Sequence, residues 1–276
     1  MDQLFVKAAI SSFLAEDIGA GDLTSASIFG QDHLAKAEFL AQEPMVAAGL
    51  ATVAAQVFLL INPTIQCTPA IDGARISAGQ SLLTLEGPIL DLLKGERVAL
   101  NLTQRLCGIA TFTARFVELV KPLPVKIVDT RKTTPGLRAF EKYAVRIGGG
   151  YNHRFSLSDG VMIKDNHLAA AGSIAKAVAL VRGAIPHTIK VEVEADTLDQ
   201  VKECLECGVE IILLDNMDCE TMRQAVDLTK KRAILEASGG VNLINVRQVA
   251  ETGVDIISIG ALTHSAPACD ISMIIA

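Results

Sequence analysis

Six short β-branched runs, each ending in polar residues, follow a helical stretch from Leu92 to Val120: KIVDT, GVMIKDN, TIKVEVEAD, VEIILLDN, RAILEASGG and VDIISIGA. Helical segments separate them. Strands that alternate with helices pair in parallel, because a parallel neighbour can only be reached by a crossover that the helix supplies. The C-terminal ends of these runs carry Asp129-Arg131-Lys132, Lys164-Asp165-Asn166-His167, Glu192-Glu194, Asp215-Asn216, Glu236-Ser238-Gly239-Gly240, and Gly260 with Thr263-His264. Polar groups delivered to one rim by nearly every strand are the pattern of a β/α barrel, whose active sites sit at that rim and whose last loops bind phosphate. A doubly wound open sheet would gather its ligands at one switch point instead. The expectation is therefore an α/β chain with a β/α barrel of parallel strands, incomplete in its closure.

Residues 1–100 read differently. An amphipathic helix pattern (LFVKAAISSFLAEDI) precedes strand-like runs (AKAEFLAQ, SLLTLEG) and turns at Asp72-Gly73 and Gly87-Pro88, which predicts a smaller N-terminal α+β domain. The barrel is assigned to 101–267, and the strand-like DISMIIA in 268–276 is expected to return to the first domain. With 276 residues and 50% apolar composition, the chain can bury a core large enough for both.

Charge excludes some partners. The chain carries a formal net charge of -6, yet seven Lys and Arg, two His and only four acidic residues fall between Asp129 and His167. A basic patch on an acidic protein predicts a pocket for a small, multiply charged anion. Nucleic acid is not expected: the pI is about 5.4, aromatics are 4%, and no basic stripe with stacking residues occurs elsewhere. The uncharged stretch Met45–Ile61 is short, Ala-rich and bounded by Pro44 and Pro63, so it reads as a buried helix rather than a membrane span. The opening Met-Asp-Gln has no basic n-region, and a cytoplasmic, reducing setting is expected for the six cysteines. Cys204 and Cys207 form one C-x-x-C inside a helical pattern with no second pair at zinc spacing, and read as buried small side chains.

The rim residues form two opposed sets. Arg131, Lys132, His153, Arg154 and Lys164 are cationic or proton-bearing, and Glu194 and Asp215 face them. Guanidinium groups hold carboxylates and phosphates bidentately. Carboxylates beside a polyphosphate hold Mg²⁺ through one or two protein oxygens and several waters. The same carboxylates can stabilise a sugar carbon that becomes cationic. Group transfer from a phosphorylated sugar to an anionic acceptor uses all of these parts.

The runs DTRKTTPGLRAFEKYAVRIGGGYNHR, SDGVMIKDNH, VEVEAD, LLDNM, EASGG and ETGVDIISIGALTHS, with EDIGAGDLTS and GERVALNLTQRLCGIAT nearer the N-terminus, resemble the quinolinate phosphoribosyltransferase family over essentially the whole chain. The resemblance implies conversion of quinolinate and 5-phosphoribosyl 1-diphosphate to nicotinate mononucleotide, CO₂ and diphosphate in de novo NAD synthesis. It implies Arg131, His153, Arg154 and Lys164 around the quinolinate carboxylates, and Lys132 facing the phosphoribosyl donor. It implies Glu194 and Asp215 near the ribose hydroxyls and Mg²⁺, and Ser238, Gly239, Gly240 and Gly260 in the phosphate-binding turns. It also implies a homodimer in which Arg97 reaches the neighbouring subunit's site, with no organic cofactor. Alternative readings are a molybdenum-associated relative, an aldolase with a Schiff base on Lys164 or Lys190, and a silent anion binder. Glu192 is left outside the site, as a partner for Lys190 or Lys164 or a sharer of it. His167 and His264 read as capping or supporting groups, Lys142 as a solvent-facing helix charge, and Gly148–Gly150 as a tight turn.

Overall fold

The structure, a computed structural model, describes residues 1–275 and divides into two compact units. The first comprises Met1–Ala114, Ala139–Gly149 and the chain from Ser265 onward. It opens with a helix, Gln3–Ile18, whose first turn is capped by Asp2 accepting from the Phe5 N–H at 2.9 Å. Val6, Ile10 and Leu14 recur at one face of that helix and are its buried residues. Five strands follow: β1 (Leu34–Ala41), β2 (Met45–Val46), β3 (Gln66–Pro69), β4 (Arg75–Ile76) and β5 (Ser81–Pro88). In β1, Ala37, Phe39 and Ala41 are buried and their neighbours are not, the period-two signature of a half-buried strand. The C-terminal strand Ile271–Ile275 pairs antiparallel with β1, Phe39 opposite Met273, and β5 and β3 complete the sheet.

Two sequence expectations change here. Met45–Ile61 is not one helix: Met45 and Val46 pair with Ile76 and Arg75, and only Leu50–Ile61 is helical, starting in a π turn. The strand partner lies thirty residues on, so no local pattern reveals it. Lys142 does not face solvent; it and Glu141 are both fully buried on the helix Arg138–Ile147. Glu141 accepts from Arg105 Nη2 at 2.6 Å, a buried charge that is tolerated because it is paired. The boundary read at residue 100 lies inside the 32-residue helix Ile89–Val120, and the compact units divide at Ala114/Arg115.

The second unit, Arg115–Arg138 with Gly150–His264, holds the six alternating strands read from the sequence. They are β6 (Lys126–Val128), β7 (Val161–Ile163), β8 (Val191–Ala195), β9 (Ile211–Asp215), β10 (Ile234–Ser238) and β11 (Ile256–Ser258). All pair in parallel, in the order β6-β11-β10-β9-β8-β7. Tyr151 bridges the free side of β6 through Val128, and no ladder joins β6 to β7, so the barrel is incomplete. Register fixes the faces. Glu192 lies level with Met162, Glu194 with Leu213, Leu213 with Glu236, and Asp215 with Ser238, so these residues share one side. The alternate residues Val193, Ile212, Leu214, Leu235, Ala237 and Ile257 are at most 2% exposed on the other. Thr197 and Asp218 cap the helices after β8 and β9 by accepting from Gln200 and Thr221 backbone N–H groups. No described helix is long and apolar enough to cross a membrane.

In the first unit, Gly148 has no room for a side chain: a Cβ there would collide with the Ala110 carbonyl oxygen and lie 2.7 Å from Thr113 Cβ. Gly148→Ala should destabilise the fold by about 1–3 kcal/mol, read as a lower urea midpoint at unchanged slope.

Candidate active site

A cavity of about 600 Å³ opens at the C-terminal ends of β6–β11, a volume suited to small-molecule ligands. Arg131, Lys132, His153, Arg154, Lys164, Glu194, Asp215, Ser238, Gly239, Gly240 and Gly260 all line it. Arg97 does not; it belongs to the first unit, 58% exposed on the helix Ile89–Val120 and 4.0 Å from Glu96.

The cationic loop after β6 is held by its backbone. Thr130 Oγ1 accepts from the Lys132 N–H at 3.0 Å, and Thr263 Oγ1 donates to the Lys132 carbonyl at 2.8 Å. Arg138 forks across the loop, donating to Thr133 Oγ1 at 2.9 Å, to the Phe155 carbonyl at 2.8 Å and to the Arg131 carbonyl at 3.4 Å. Arg138 therefore braces the loop. With backbone groups taking these bonds, the Arg131 and Lys132 side chains turn to the cavity. Arg131 Nε is buried and has no hydrogen-bond partner, a donor that is costly to leave unmatched. Arg154 donates to the Gly160 carbonyl at 2.6 Å, and burial, then the neighbouring Arg131 charge, pulls its pKa down. Two crowded guanidinium groups make a site that an anion stabilises.

Below them, Asp129 is fully buried and accepts from Asn152 Nδ2 and, at 2.9 Å, from the His153 N–H. His153 Nδ1 accepts from the Arg154 N–H at 2.8 Å, which assigns the ring proton to Nε2. Nε2 faces Glu192 Oε2 at 3.2 Å and Glu236 Oε1 at 3.6 Å. Glu192 therefore partners His153, neither Lys190 nor Lys164, because strand register turns it inward beside the ring. Burial above all, reinforced by the Glu192 charge and opposed by His153, pushes the Glu236 carboxyl up to about 7. These three side chains also have metal-ligand spacing, their donor atoms lying within 4.8 Å of one another. The proton assigned to Nε2 occupies the nitrogen that would have to ligate, so the geometry is that of a hydrogen-bonded floor.

The acidic wall is less separate than the sequence suggests. Just past the end of β7, where Ile163 lies level with Val193, Lys164 Nζ lies 3.3 and 3.5 Å from the two Glu194 oxygens. This ion pair engages the amine that a Schiff-base mechanism would need free, and Lys190 is exposed and outside the cavity lining. Asp215, at the end of β9, accepts from Asn216 Nδ2 at 2.7 Å. The turn Ser238–Gly240 carries φ of 93° at Gly239 and 63° at Gly240, conformations that suit glycine. At Gly260 a Cβ would come within 3.0 Å of Lys132 Cδ and 3.1 Å of His264 Nε2.

Thr130, Asn216, Glu236 and His264 also line the cavity although none was assigned to the site from sequence. The signal for Glu236 was available: it lies two residues before Ser238, hence on the same strand face. His167 is a capping group, its Nδ1 accepting from the Lys164 N–H at 2.9 Å. Cys204 is buried in the helix Leu198–Glu206, with its thiol pushed up to about 12 by desolvation.

Two family descriptions match the chain: "Quinolinate phosphoribosyl transferase, N-terminal domain" over residues 22–107 and its "C-terminal domain" over 109–274. The chain belongs to the quinolinate phosphoribosyltransferase family. A Bacillus subtilis protein named probable nicotinate-nucleotide pyrophosphorylase [carboxylating] is 47% identical, over 99% of this chain and 94% of its own. The Mycobacterium leprae nicotinate-nucleotide pyrophosphorylase [carboxylating] is 42% identical over 94% of this chain and 93% of its own. The crystal structure of NadC from Streptococcus pyogenes superposes with a TM-score of 0.96 at 41% identity, covering 100% of this chain and 98% of that one. In this family member, a parallel barrel and a separate small N-terminal domain are the shared architecture.

The Glu236 floor sets a pH signature. Because its folded pKa is raised from 4.5 to about 7, the folded state holds the extra proton, and stability falls as pH rises through that interval. Glu236→Gln removes the titration, so the decline in urea midpoint between those pH values should flatten in the variant.

Proposed function

We propose that the cavity joins quinolinate to 5-phosphoribosyl 1-diphosphate, giving nicotinate mononucleotide, CO₂ and diphosphate for NAD synthesis. The observation that carries this reading is the meeting, in one cavity, of a crowded guanidinium pair with an unmatched buried donor on Arg131, a glycine phosphate turn, and inward carboxylates. Family membership and the names of its relatives support the same substrates.

Both substrates are anions and repel one another. Holding them together is the main task, and positioning alone can lower a barrier by several kcal/mol. Arg131 and Arg154, with His153 and Lys164 beside them, take the quinolinate carboxylates, and Lys132 faces the donor's diphosphate. The backbone turns at Ser238, Gly239, Gly240 and Gly260 hold phosphate. The ring nitrogen of quinolinate already has a lone pair, so its attack on the sugar carbon requires no general base. As the C–O bond to diphosphate breaks, Glu194 and Asp215 face the positive charge developing on the ribose. Once the ring nitrogen is bonded to ribose it is cationic and stabilises the carbanion left on the adjacent ring carbon when its carboxylate departs as CO₂; a proton from water then fills that position, so no organic cofactor enters.

Mg²⁺ belongs to the same proposal. Glu194 and Asp215 supply the hard oxygen donors it prefers, and Asn216 engages only the Oδ2 of Asp215. Glu194 is already paired with Lys164, so it would reach the ion through water. When bound, Mg²⁺ neutralises diphosphate charge. A cytoplasmic setting fits six cysteines that are all free thiols.

Diphosphate and labelled CO₂ should appear together from carboxyl-labelled quinolinate with 5-phosphoribosyl 1-diphosphate and Mg²⁺. Lys132→Ala should lower both rates about 100-fold or more. A folded protein that releases neither product refutes the assignment. If quinolinate binds without diphosphate release, the chain is an anion binder.

The homodimer, with Arg97 completing the partner's site, is also proposed; the exposure of Arg97 outside its own chain's cavity supports it. Mixed Arg97→Ala and Lys132→Ala subunits, each inactive alone, should regain about a quarter of wild-type activity after random reassortment, since each mixed dimer holds one intact site. No recovery despite exchange of subunits would show that Arg97 does not complete the partner's site.

A further inference from the structure

We infer that Asn216 is a positioning residue that ties the Asp215 carboxylate to the phosphate turn Ser238–Gly240, so that one sugar-phosphate molecule meets both in fixed register. The inference rests on the proposed function, since it assigns the two groups to the same phosphoribosyl donor. Three contacts converge on this one residue. Its Nδ2 donates to Asp215 Oδ2 at 2.7 Å, a charge-assisted bond that orients the carboxylate. Its backbone N–H donates to the Ser238 carbonyl at 2.9 Å, which extends the β9–β10 pairing one residue past Asp215. Its side chain presses on Gly239, where a Cβ would collide with Oδ1 and lie 2.6 Å from Cγ.

The backbone shows that the arrangement is imposed. Asn216 has φ of 53°, in the left-handed region, which most side chains pay strain to enter and asparagine tolerates better than others. Asn216 is exposed, so core packing does not force it there. A left-handed residue directly after β9 turns its amide back along the strand end toward Asp215 while its N–H stays in the ladder. Glycine would give the turn without the amide, and aspartate would give the shape without the donor. Gly239, at φ 93°, is glycine for two reasons at once: its conformation and the Asn216 side chain against it.

Those two substitutions supply the test. Asn216→Gly keeps the backbone bond and relieves φ; Asn216→Asp keeps the volume but sets an acceptor against Asp215. Binding of 5-phosphoribosyl 1-diphosphate with Mg²⁺, measured by calorimetry, should weaken about tenfold or more in both variants, with a matching rise in KM for that substrate. Quinolinate affinity and the thermal midpoint should stay at wild-type values. Wild-type donor affinity in Asn216→Gly overturns the inference, and so does a normal Asn216→Asp, which would show that volume rather than the donated bond matters. A lowered thermal midpoint with both substrates weakened equally would reduce Asn216 to a general structural role and overturn it as well. Wild-type protein that binds the donor but releases no diphosphate refutes the proposed reaction and leaves this binding comparison decisive. Wild-type protein that binds no donor refutes both.

Discussion

Parallel register is the constraint on which the cavity depends. Once Glu194 pairs level with Leu213, Leu213 with Glu236, and Asp215 with Ser238, the side-chain period of two sends every polar member of these strands to one side. A slip of one residue in β8 would exchange Glu192 and Glu194 for Val193 and Ala195, burying carboxylates among helices and turning the cavity apolar. The outward set Val193, Ile212, Leu214, Leu235 and Ile257 is almost wholly buried, and its burial pins that register. The stability of the sheet and the chemistry of the rim are therefore two faces of the same alternation.

Concentrating like charge has a cost that the fold manages with neutral groups. Burial, and then the Arg131 charge, lowers the pKa of Arg154, and among the described residues neither guanidinium has a carboxylate within ion-pair distance. Carbonyls do the anchoring instead: Gly160 for Arg154, and Arg131 and Phe155 for the bracing Arg138. A carbonyl fixes a guanidinium without neutralising it, so the positive field remains available to a ligand. Lys164 is the exception, paired with Glu194. It links the cationic and acidic halves, and a dianion entering beside it would compete with Glu194 for the same ammonium.

The barrel strands were legible because each is a short β-branched run closed by a polar end, and all six runs contain the observed strands. The site residues were legible through the same ends and through long motifs shared with the family. What local pattern missed lay in partners distant along the chain. Val46 is a strand residue because Arg75 pairs with it, and helical spacing could not show that Lys142 and Glu141 face inward. Glu192 looked like an ion-pair partner for lysine, since nothing in the sequence announces that His153 reaches it. Asn216 was visible as a polar strand end, but its left-handed backbone, and hence the direction of its amide, is a property of the folded turn.

His153, which lines the cavity, also braces the loop around it. Its Nδ1 accepts from the Arg154 backbone and its Nε2 proton points to Glu192 and Glu236. Both ring nitrogens therefore have protein partners. Binding a carboxylate through Nε2 would first require that proton to leave Glu192, exposing a buried acid whose other oxygen already lacks a partner. A quinolinate carboxylate at Nε2 would thus share His153 with Glu192 and Glu236. Through Nδ1 the ring also fixes the backbone at Arg154.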